Sequence, residues 1–272
     1  MPELPEVETT RRGVEPYARG RRVRALHLRE ARLRWKVDAS LPKRVAGARI
    51  MAVERRAKYL RFRLDTDATL MLHLGMSGSL RVLPPDTPHR KHDHLDLELE
   101  SGETLRFNDP RRFGSLHLIE GDPAQHPLLR SLGPEPLDAA FDADYLWRCT
   151  RKRRVAIKQF VMNAQIVVGV GNIYASEALF RAQVRPGRAA GNLKRSEVEA
   201  IVRAIKDVLA MAVKVGGTTL RDYVGADGNP GYFRQKLFVY ERADEPCRTC
   251  GTPIKQRVQA QRSTYWCASC QR

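Results

Sequence analysis

Leu60-Arg61-Phe62-Arg63-Leu64 and Leu95-Asp96-Leu97-Glu98-Leu99 each carry an apolar side chain at every second position. Successive side chains of a strand point to opposite faces, so this alternation predicts half-buried antiparallel strands. The pattern recurs across residues 45–120. Ser101-Gly102 marks a turn into a further strand over Leu105-Arg106-Phe107. Proline is tolerated in a first helical turn, so a short helix starting near Pro5 is expected ahead of the strands. The first half therefore reads as a β-sandwich or barrel with one or two helices.

Working outward, the chain has 272 residues, which at ~150 residues per domain gives about two domains. That length buries a core without disulfide staples. A hydrophobic fraction of 42% and a charged fraction of 29% exclude a collagen-like, low-complexity or disordered chain. Lys and Arg total 48 and Asp and Glu 31, so the net charge is 48 − 31 = +17. Such a balance points to a polyanionic partner, with nucleic acid first. No apolar run approaches the ~18 residues of a membrane span. Glu3, Glu6 and Glu8 in the opening residues argue against a signal peptide. A cytoplasmic, non-membrane protein is expected.

Gly121, Pro123, Pro127, Gly133, Pro134 and Pro136 mark the connection between the halves. The second half is helical. Val198, Ile201, Val202, Ile205, Val208 and Leu209 line one face of a helix predicted over 197–215, with Ser196 and Glu199 as a capping box and Gly216-Gly217 as its end. A second helix is predicted over Ile173–Ala182, with Asn172 able to cap it. The glycine turn before it, Gly169 to Gly171, can also present amides to a phosphate. Residues 216–232 hold five glycines and suggest a mobile lid.

Cys247-Arg-Thr-Cys250 and Cys267-Ala-Ser-Cys270 are separated by sixteen residues. Each pair can place two thiolates on one tetrahedral Zn²⁺, and four thiolates close the shell. One structural zinc is expected, with a hairpin between the pairs. Lys255, Arg257 and Arg262 lie in that hairpin, either as a DNA probe or as a solvated basic surface. Cys149 is expected to be a small core residue. At the other end, Met before a small residue is normally removed, which would leave Pro2 with a free secondary amine. An α-amine has a pKa of about 7.7–8.0 and can serve as a covalent nucleophile, with Glu3 beside it to move protons. The same residues also read simply as a helix start.

Five segments together resemble the formamidopyrimidine-DNA glycosylase family, in the family's order and across the whole chain. They are Pro2-Glu3-Leu4-Pro5-Glu6-Val7-Glu8, His73-Leu74-Gly75-Met76-Ser77-Gly78, Asp109-Pro110-Arg111-Arg112-Phe113-Gly114, Val168-Gly169-Val170-Gly171-Asn172-Ile173-Tyr174, and the terminal cysteine pairs. The resemblance implies an α+β chain in three parts. These are an N-terminal antiparallel β-sandwich with flanking helices over 1–134, a linker and helix–two-turns–helix domain over 135–240, and a four-cysteine zinc finger over 241–272. It implies removal of oxidised purines, chiefly 8-oxoguanine opposite cytosine and formamidopyrimidines, through a Pro2 Schiff base. β,δ-Elimination at the abasic site would follow.

By the same resemblance Glu3 assists ring opening and Lys58 lies beside the lesion. Met76, Arg111 and Phe113 fill the void left by the flipped base. Asn172 and Arg262 contact the flanking phosphates, and His92 and Lys158 make further DNA contacts. A flipped base needs such replacements, because an apolar wedge, a guanidinium fork and an aromatic ring restore stacking and pairing. The partner is double-stranded DNA with oxidised bases or abasic sites, and a monomer of bacterial type working at the nucleoid is expected. Met162-Asn163 departs from the usual Met-Asp of the family. Three other readings stay open: an endonuclease VIII-like enzyme for oxidised pyrimidines, a non-catalytic zinc-ribbon DNA-binding protein, and an RNA-associated zinc ribbon.

Overall fold

The computed structural model describes residues 2–217 and 237–272. They fall into two compact units, divided between Arg130 and Ser131, with 215–217 belonging to the first unit and 237–272 to the second.

The first unit begins with α1 (Leu4–Ala18). It continues through β1 (Val23–Leu28), the short α2 (Leu41–Val45), β2 (Ile50–Arg56), β3 (Tyr59–Leu64) and β4 (Ala68–His73). β5 (Ser79–Leu83), β6 (Asp93–Leu99), β7 (Thr104–Asn108) and β8 (Ser115–Glu120) complete it. The strands form two separate four-stranded antiparallel sheets, in the orders β1-β6-β7-β5 and β2-β3-β4-β8. This decides for a sandwich over a barrel. Leu26, Leu97, Leu105 and Phe107 of one sheet and Val53, Leu60, Phe62 and Leu72 of the other share one buried core. α1 is no short helix; it runs fifteen residues, packs on β2 and β5, and buries Leu4, Val7, Val14 and Ala18.

β3 keeps the alternation read from the sequence, with Leu60, Phe62 and Leu64 buried and Arg63 exposed. β6 does not, because Asp96 on its polar face is only 2% exposed. Arg106 of β7 forks onto Asp96 with two bonds of 2.8 and 2.9 Å, and Arg29 adds a third of 2.7 Å. A buried carboxylate is tolerated here because charged donors meet it on both oxygens.

The second unit carries α3 (Ala143–Thr150), α4 (Ile157–Met162), α5 (Asn172–Arg181) and α6 (Arg195–Lys214). The hairpin β9 (Ile254–Gln259) and β10 (Arg262–Cys267) follows. α6 buries the predicted face, Val198, Ile201, Val202, Ile205, Val208 and Leu209. Its cap is not the predicted Ser196–Glu199 pair. Ser196 already lies inside the helix, and the Glu197 carboxylate accepts from the Lys194 backbone N–H at 2.7 Å. The helix ends as read, with Gly216 and Gly217 both at φ +80°. Of the expected glycine-rich lid, residues beyond Gly217 lie outside the described residues. Cys149 is half-buried instead of a core residue.

Burial raises the Asp96 pKa, but hydrogen bonds from Arg106, Arg29 and His89 outweigh it and pull the value from 3.8 down to about 2. The stabilisation is therefore present above pH ~4 and is lost as pH falls toward ~2. Asp96→Asn should cost about 3–5 kcal/mol at neutral pH, because it leaves Arg106 buried without its counter-charge. Urea unfolding at neutral and acid pH checks this: the gap to wild type should shrink between pH ~4 and ~2.

Candidate active site and nucleic-acid interface

The chain start is built into the fold. Pro2 is buried, and Glu3 and Glu6 are 2% and 3% exposed. Glu3 is the N-cap of α1, and Glu3 and Glu6 form a reciprocal capping box in which the Glu3 N–H donates to Glu6 Oε2 at 2.8 Å. The helix-start reading and the reactive-terminus reading are thus compatible, since the cap holds the residue next to Pro2.

Sheet register gathers the other residues of this unit. The chain crosses from one sheet to the other three times, between β1 and β2, between β4 and β5 and between β7 and β8, and the last two crossovers carry the residues in question. His73 pairs with Ser115, and Ser79 pairs with Asn108, so both crossovers leave from the same end of the sandwich. Tyr59 pairs with His73, which brings the Ala57-Lys58 turn to that end. Asp93 pairs with Asn108, which brings His92 there as well. Lys58, Met76, His92, Arg111 and Phe113 are therefore neighbours by topology.

The two crossovers touch backbone to backbone. A Cβ on Gly75 (φ +71°) would lie 2.4 Å from Gly114 N and 2.5 Å from Phe113 C. Asp109, fully buried, organises the second crossover: it accepts from Ser77 Oγ at 2.8 Å and from Gly114 N at 2.8 Å. His94 Nε2 meets the Asp109 carbonyl at 2.8 Å, and the His92 carbonyl accepts from Asp109 N at 3.1 Å. Above this anchored base Phe113 is 42% exposed, the Arg111 guanidinium sits 5.0 Å from its ring centroid, and Met76 is half-exposed. An apolar side chain, an aromatic ring and a guanidinium presented together suit insertion into a base stack.

Lys58 is half-buried and follows Ala57, which holds φ +54° in the turn. Its charge is felt by His73. Burial, then Lys58, Arg34 and His117, pull the His73 pKa down to about 4. The ring is therefore neutral at pH 7. Its Nδ1 accepts from Gly75 N at 2.9 Å, which leaves the proton on Nε2, and Tyr59 packs on it at 4.8 Å. The sequence places His73 within a motif but gives it no role; its place in the register is the missing signal.

In the second unit, Lys158 is only 2% exposed and not open to solvent as a DNA contact would suggest. Its Nζ donates to the Ser263 carbonyl at 2.9 Å and to Thr264 Oγ1 at 2.8 Å. Asn172 does not cap α5; Gly171 occupies the cap position and the Asn172 amide donates to the same Ser263 carbonyl at 3.0 Å. Among the described residues the buried Asn172 Oδ1 meets no partner. The exposed Arg262 precedes Ser263, and a cavity of about 220 Å³ is lined by Lys158, Asn163, Gln259 and Arg262. Asn163 accepts from Gln165 N at 3.0 Å, a turn bond that an Asp oxygen would make equally well. Glu177, 1% exposed, carries no signal in the sequence. It accepts three backbone N–H bonds, from Phe238, Val239 and Tyr240 at 2.8–3.0 Å. Burial raises its pKa against those bonds.

The sulfur atoms of Cys247, Cys250, Cys267 and Cys270 all lie within 4.8 Å of one another. Sulfurs about 2.3 Å from a tetrahedral zinc stand ~3.8 Å apart. The pairs Cys250–Cys267 at 3.4 Å and Cys247–Cys270 at 4.0 Å bracket that value. Thr249 N and Cys270 N each point at a cysteine sulfur at 3.4 Å, as a thiolate site requires. The donor set fits one structural zinc, and the expected hairpin joins the pairs with Ala260-Gln261 at its tip.

The sandwich, the helical unit and the four-thiolate hairpin match, in this order, the domains of a DNA glycosylase. Three family models match: the formamidopyrimidine-DNA glycosylase N-terminal domain over residues 1–116, its H2TH domain over 132–224, and the zinc finger found in FPG and IleRS over 244–272. The chain is 61% identical to the formamidopyrimidine-DNA glycosylase of Thioalkalivibrio sulfidiphilus, over all of both chains. It is similar to the MutM (Fpg) protein of Thermus thermophilus, with 41% identity, a TM-score of 0.90, and 99% and 98% of the two chains covered. Lactococcus lactis Fpg, solved with DNA containing an abasic site, matches at 34% identity and TM-score 0.93 with 99% of each chain covered. The chain belongs to the formamidopyrimidine-DNA glycosylase family.

Metal analysis of the purified protein should find about one zinc per chain, since four thiolates close one shell. Cys267→Ala should abolish retention and unfold the hairpin, seen as a change in intrinsic fluorescence through Trp266. Zero or two zinc ions in the wild type would contradict the assignment.

Proposed function

We propose that the chain excises oxidised purines from duplex DNA and then nicks the strand at the resulting abasic site. The observation that carries this reading is the buried Pro2–Glu3 start of α1, fixed by the Glu3–Glu6 box. Once Met1 is removed, the Pro2 nitrogen is a secondary amine. Its lone pair attacks the sugar C1′, the base leaves with the bond pair and takes a proton, and opening of the ring yields an iminium. Glu3 is placed to carry the protons. The iminium acidifies the neighbouring C–H, so loss of that proton expels the 3′ phosphate, and a second elimination expels the 5′ phosphate. Zinc takes no part in these bonds; it holds the hairpin that carries Arg262.

Met76, Arg111 and Phe113 are assigned to the space left by the flipped nucleotide, with Arg111 facing the orphaned cytosine. Lys58, beside the lesion, is assigned to the catalytic group with Pro2 and Glu3, and His92 is assigned a DNA contact. Lys158 and Asn172 act by holding the Ser263 carbonyl and so fixing Arg262, and Asn172 is also assigned a phosphate contact. The functional division proposed is 1–134, 135–240 and 241–272. No described helix is long and apolar enough to cross a membrane, and a monomer working in the cytoplasm on nucleoid DNA fits the reading. A second reading, excision of oxidised pyrimidines, has one observation in its favour: Lactococcus lactis Fpg, 33% identical, is solved with oxidised-pyrimidine DNA.

Duplexes with one 8-oxoguanine opposite cytosine should be cut to products with phosphate at both ends of a one-nucleotide gap. Thymine-glycol duplexes should be cut more slowly. Glu3→Gln should lower the excision rate by about 10²–10⁴-fold, the usual worth of a positioned acid–base group. Intact duplex with Met1-free protein sinks the reading, and preferential cutting of thymine glycol transfers it to the pyrimidine alternative.

A further inference from the structure

A cavity of about 570 Å³ opens on the sandwich unit, away from the two gathered crossovers. It is lined by Tyr17 of α1, by Val82, Leu83, Pro84 and Pro85 at the end of β5, and by Glu103 of the β6–β7 turn. Leu83 pairs with Thr104 whereas Ser79 pairs with Asn108, so the cavity lies at the end of the sheet opposite His92, Arg111 and Phe113. It also lies at the far end of α1 from Pro2, about 20 Å along the helix at ~1.5 Å per residue.

Glu103 is the one charged side chain among the described residues that line it. The Ser101 hydroxyl and the Glu103 backbone N–H hold this carboxyl below its usual pKa, with a further pull from the Arg21 charge, so it is ionised at neutral pH. Its Oε2 is shielded from solvent, and among the described residues no donor meets it. A shielded carboxylate oxygen without a donor is costly, and a cationic donor relieves it. Tyr17, 45% exposed, borders the same cavity and offers a ring face to a cation. Gly13, one turn before Tyr17, carries no side chain to fill the space beside the ring, although glycine weakens a helix interior. The walls are fixed. Leu99 N donates to Glu103 O at 2.9 Å, Gly102 N donates to Leu99 O at 3.0 Å, and Thr87 Oγ1 donates to Pro84 O at 2.8 Å.

We propose that this cavity docks a partner protein through an arginine side chain flanked by apolar residues, with the guanidinium on Glu103 and against the Tyr17 ring. Arginine suits the site better than lysine, because its planar fork bonds a carboxylate and stacks on an aromatic ring together. Val82, Pro84 and Pro85 offer apolar surface to the neighbours of that arginine, and docking removes it from water. One charged anchor in an apolar surround is the make-up of an interface anchor pocket, where arginine is enriched. A chain of net charge +17 repels basic segments over most of its surface, so a carboxylate with a free oxygen singles out this place. The contacts do not depend on the glycosylase reading. That reading adds only that a partner held here leaves the Pro2 and Phe113 end free for DNA.

The test titrates the full-length, zinc-loaded protein, isotope-labelled for NMR, with a blocked peptide, acetyl-Ala-Leu-Arg-Pro-Ala-amide. A citrulline counterpart keeps the shape of the arginine and loses its charge. The arginine peptide should shift the amides of Tyr17, Gly102 and Glu103 saturably. The citrulline peptide should bind at least about tenfold more weakly, as loss of a charge-assisted bond implies. Glu103→Gln should weaken the arginine peptide by about tenfold and Tyr17→Ala by about threefold. Excision from an 8-oxoguanine duplex should stay within about twofold of wild type in both variants, because the two ends are distant. No saturable shift at these amides, equal binding of the two peptides, or full affinity in Glu103→Gln overturns the proposal. If Glu103→Gln does not fold, the exposed Tyr17→Ala serves in its place, and full affinity there overturns the proposal equally. Methylguanidine bound as tightly as the peptide assigns the cavity to free organic cations and overturns docking of a partner protein. Peptide binding is read without DNA, so a wild-type protein that does not excise refutes the glycosylase reading alone.

Discussion

The reciprocal bond between Glu3 and Glu6 is the constraint on which the proposed chemistry depends. A chain terminus ordinarily frays, and a nucleophile placed there would wander. Here the Glu3 N–H is tied to the Glu6 carboxylate at 2.8 Å, one residue from Pro2. The helix behind it cannot drift, because α1 packs on β2 and β5, one strand from each sheet. Glu8 adds a lateral tie. Burial pushes its carboxyl pKa up, but hydrogen bonds from Arg11 and Arg12 and the nearby Arg55 charge bring it below the usual range. It stays ionised at neutral pH and links α1 to β2 through Arg55 at 3.2 Å.

Once the sandwich is set, the placement of the proposed wedge residues follows from topology. Two of the three crossovers between the sheets leave from one end, and they meet at backbone contact through Gly75 and Gly114. Asp109 then uses its carboxylate on both crossovers, bonding Ser77 on one and Gly114 on the other. That fixed base lets Phe113 and Arg111 stand in solvent without collapsing onto the protein. The second unit uses the same device with buried ionisable side chains. Lys158 and Glu177 make no solvent contact of note; each holds backbone, Lys158 the Ser263 carbonyl and Glu177 three amides. Removing either would leave buried backbone groups unmatched, which is the costly way to lose a hydrogen bond.

Periodicity made the strands and α6 legible, and cysteine spacing made the metal site legible. The sandwich was not separable from a barrel, because that depends on which strands pair. Asp96 looked like a solvent-facing residue, since its fork from Arg106 spans two strands. The α6 cap was misplaced by two residues because Glu197 serves the backbone of Lys194, a residue type with no capping signature. Lys158 and Asn172 read as surface DNA contacts, yet their shared partner, Ser263, lies 105 and 91 residues further along the chain. Roles that arise from register or from such distant bonds, as for His73 and Glu177, leave no local pattern to read.

The most direct test of the fixed, reactive terminus is the site of covalent capture. The protein would be incubated with an 8-oxoguanine duplex and borohydride, the adduct digested, and its peptides weighed by mass spectrometry. The account predicts the reduced sugar–DNA remnant on the N-terminal peptide, attached to Pro2, in chains that lack Met1. An adduct on Lys58 or another lysine, or one on chains that still carry Met1, would contradict it.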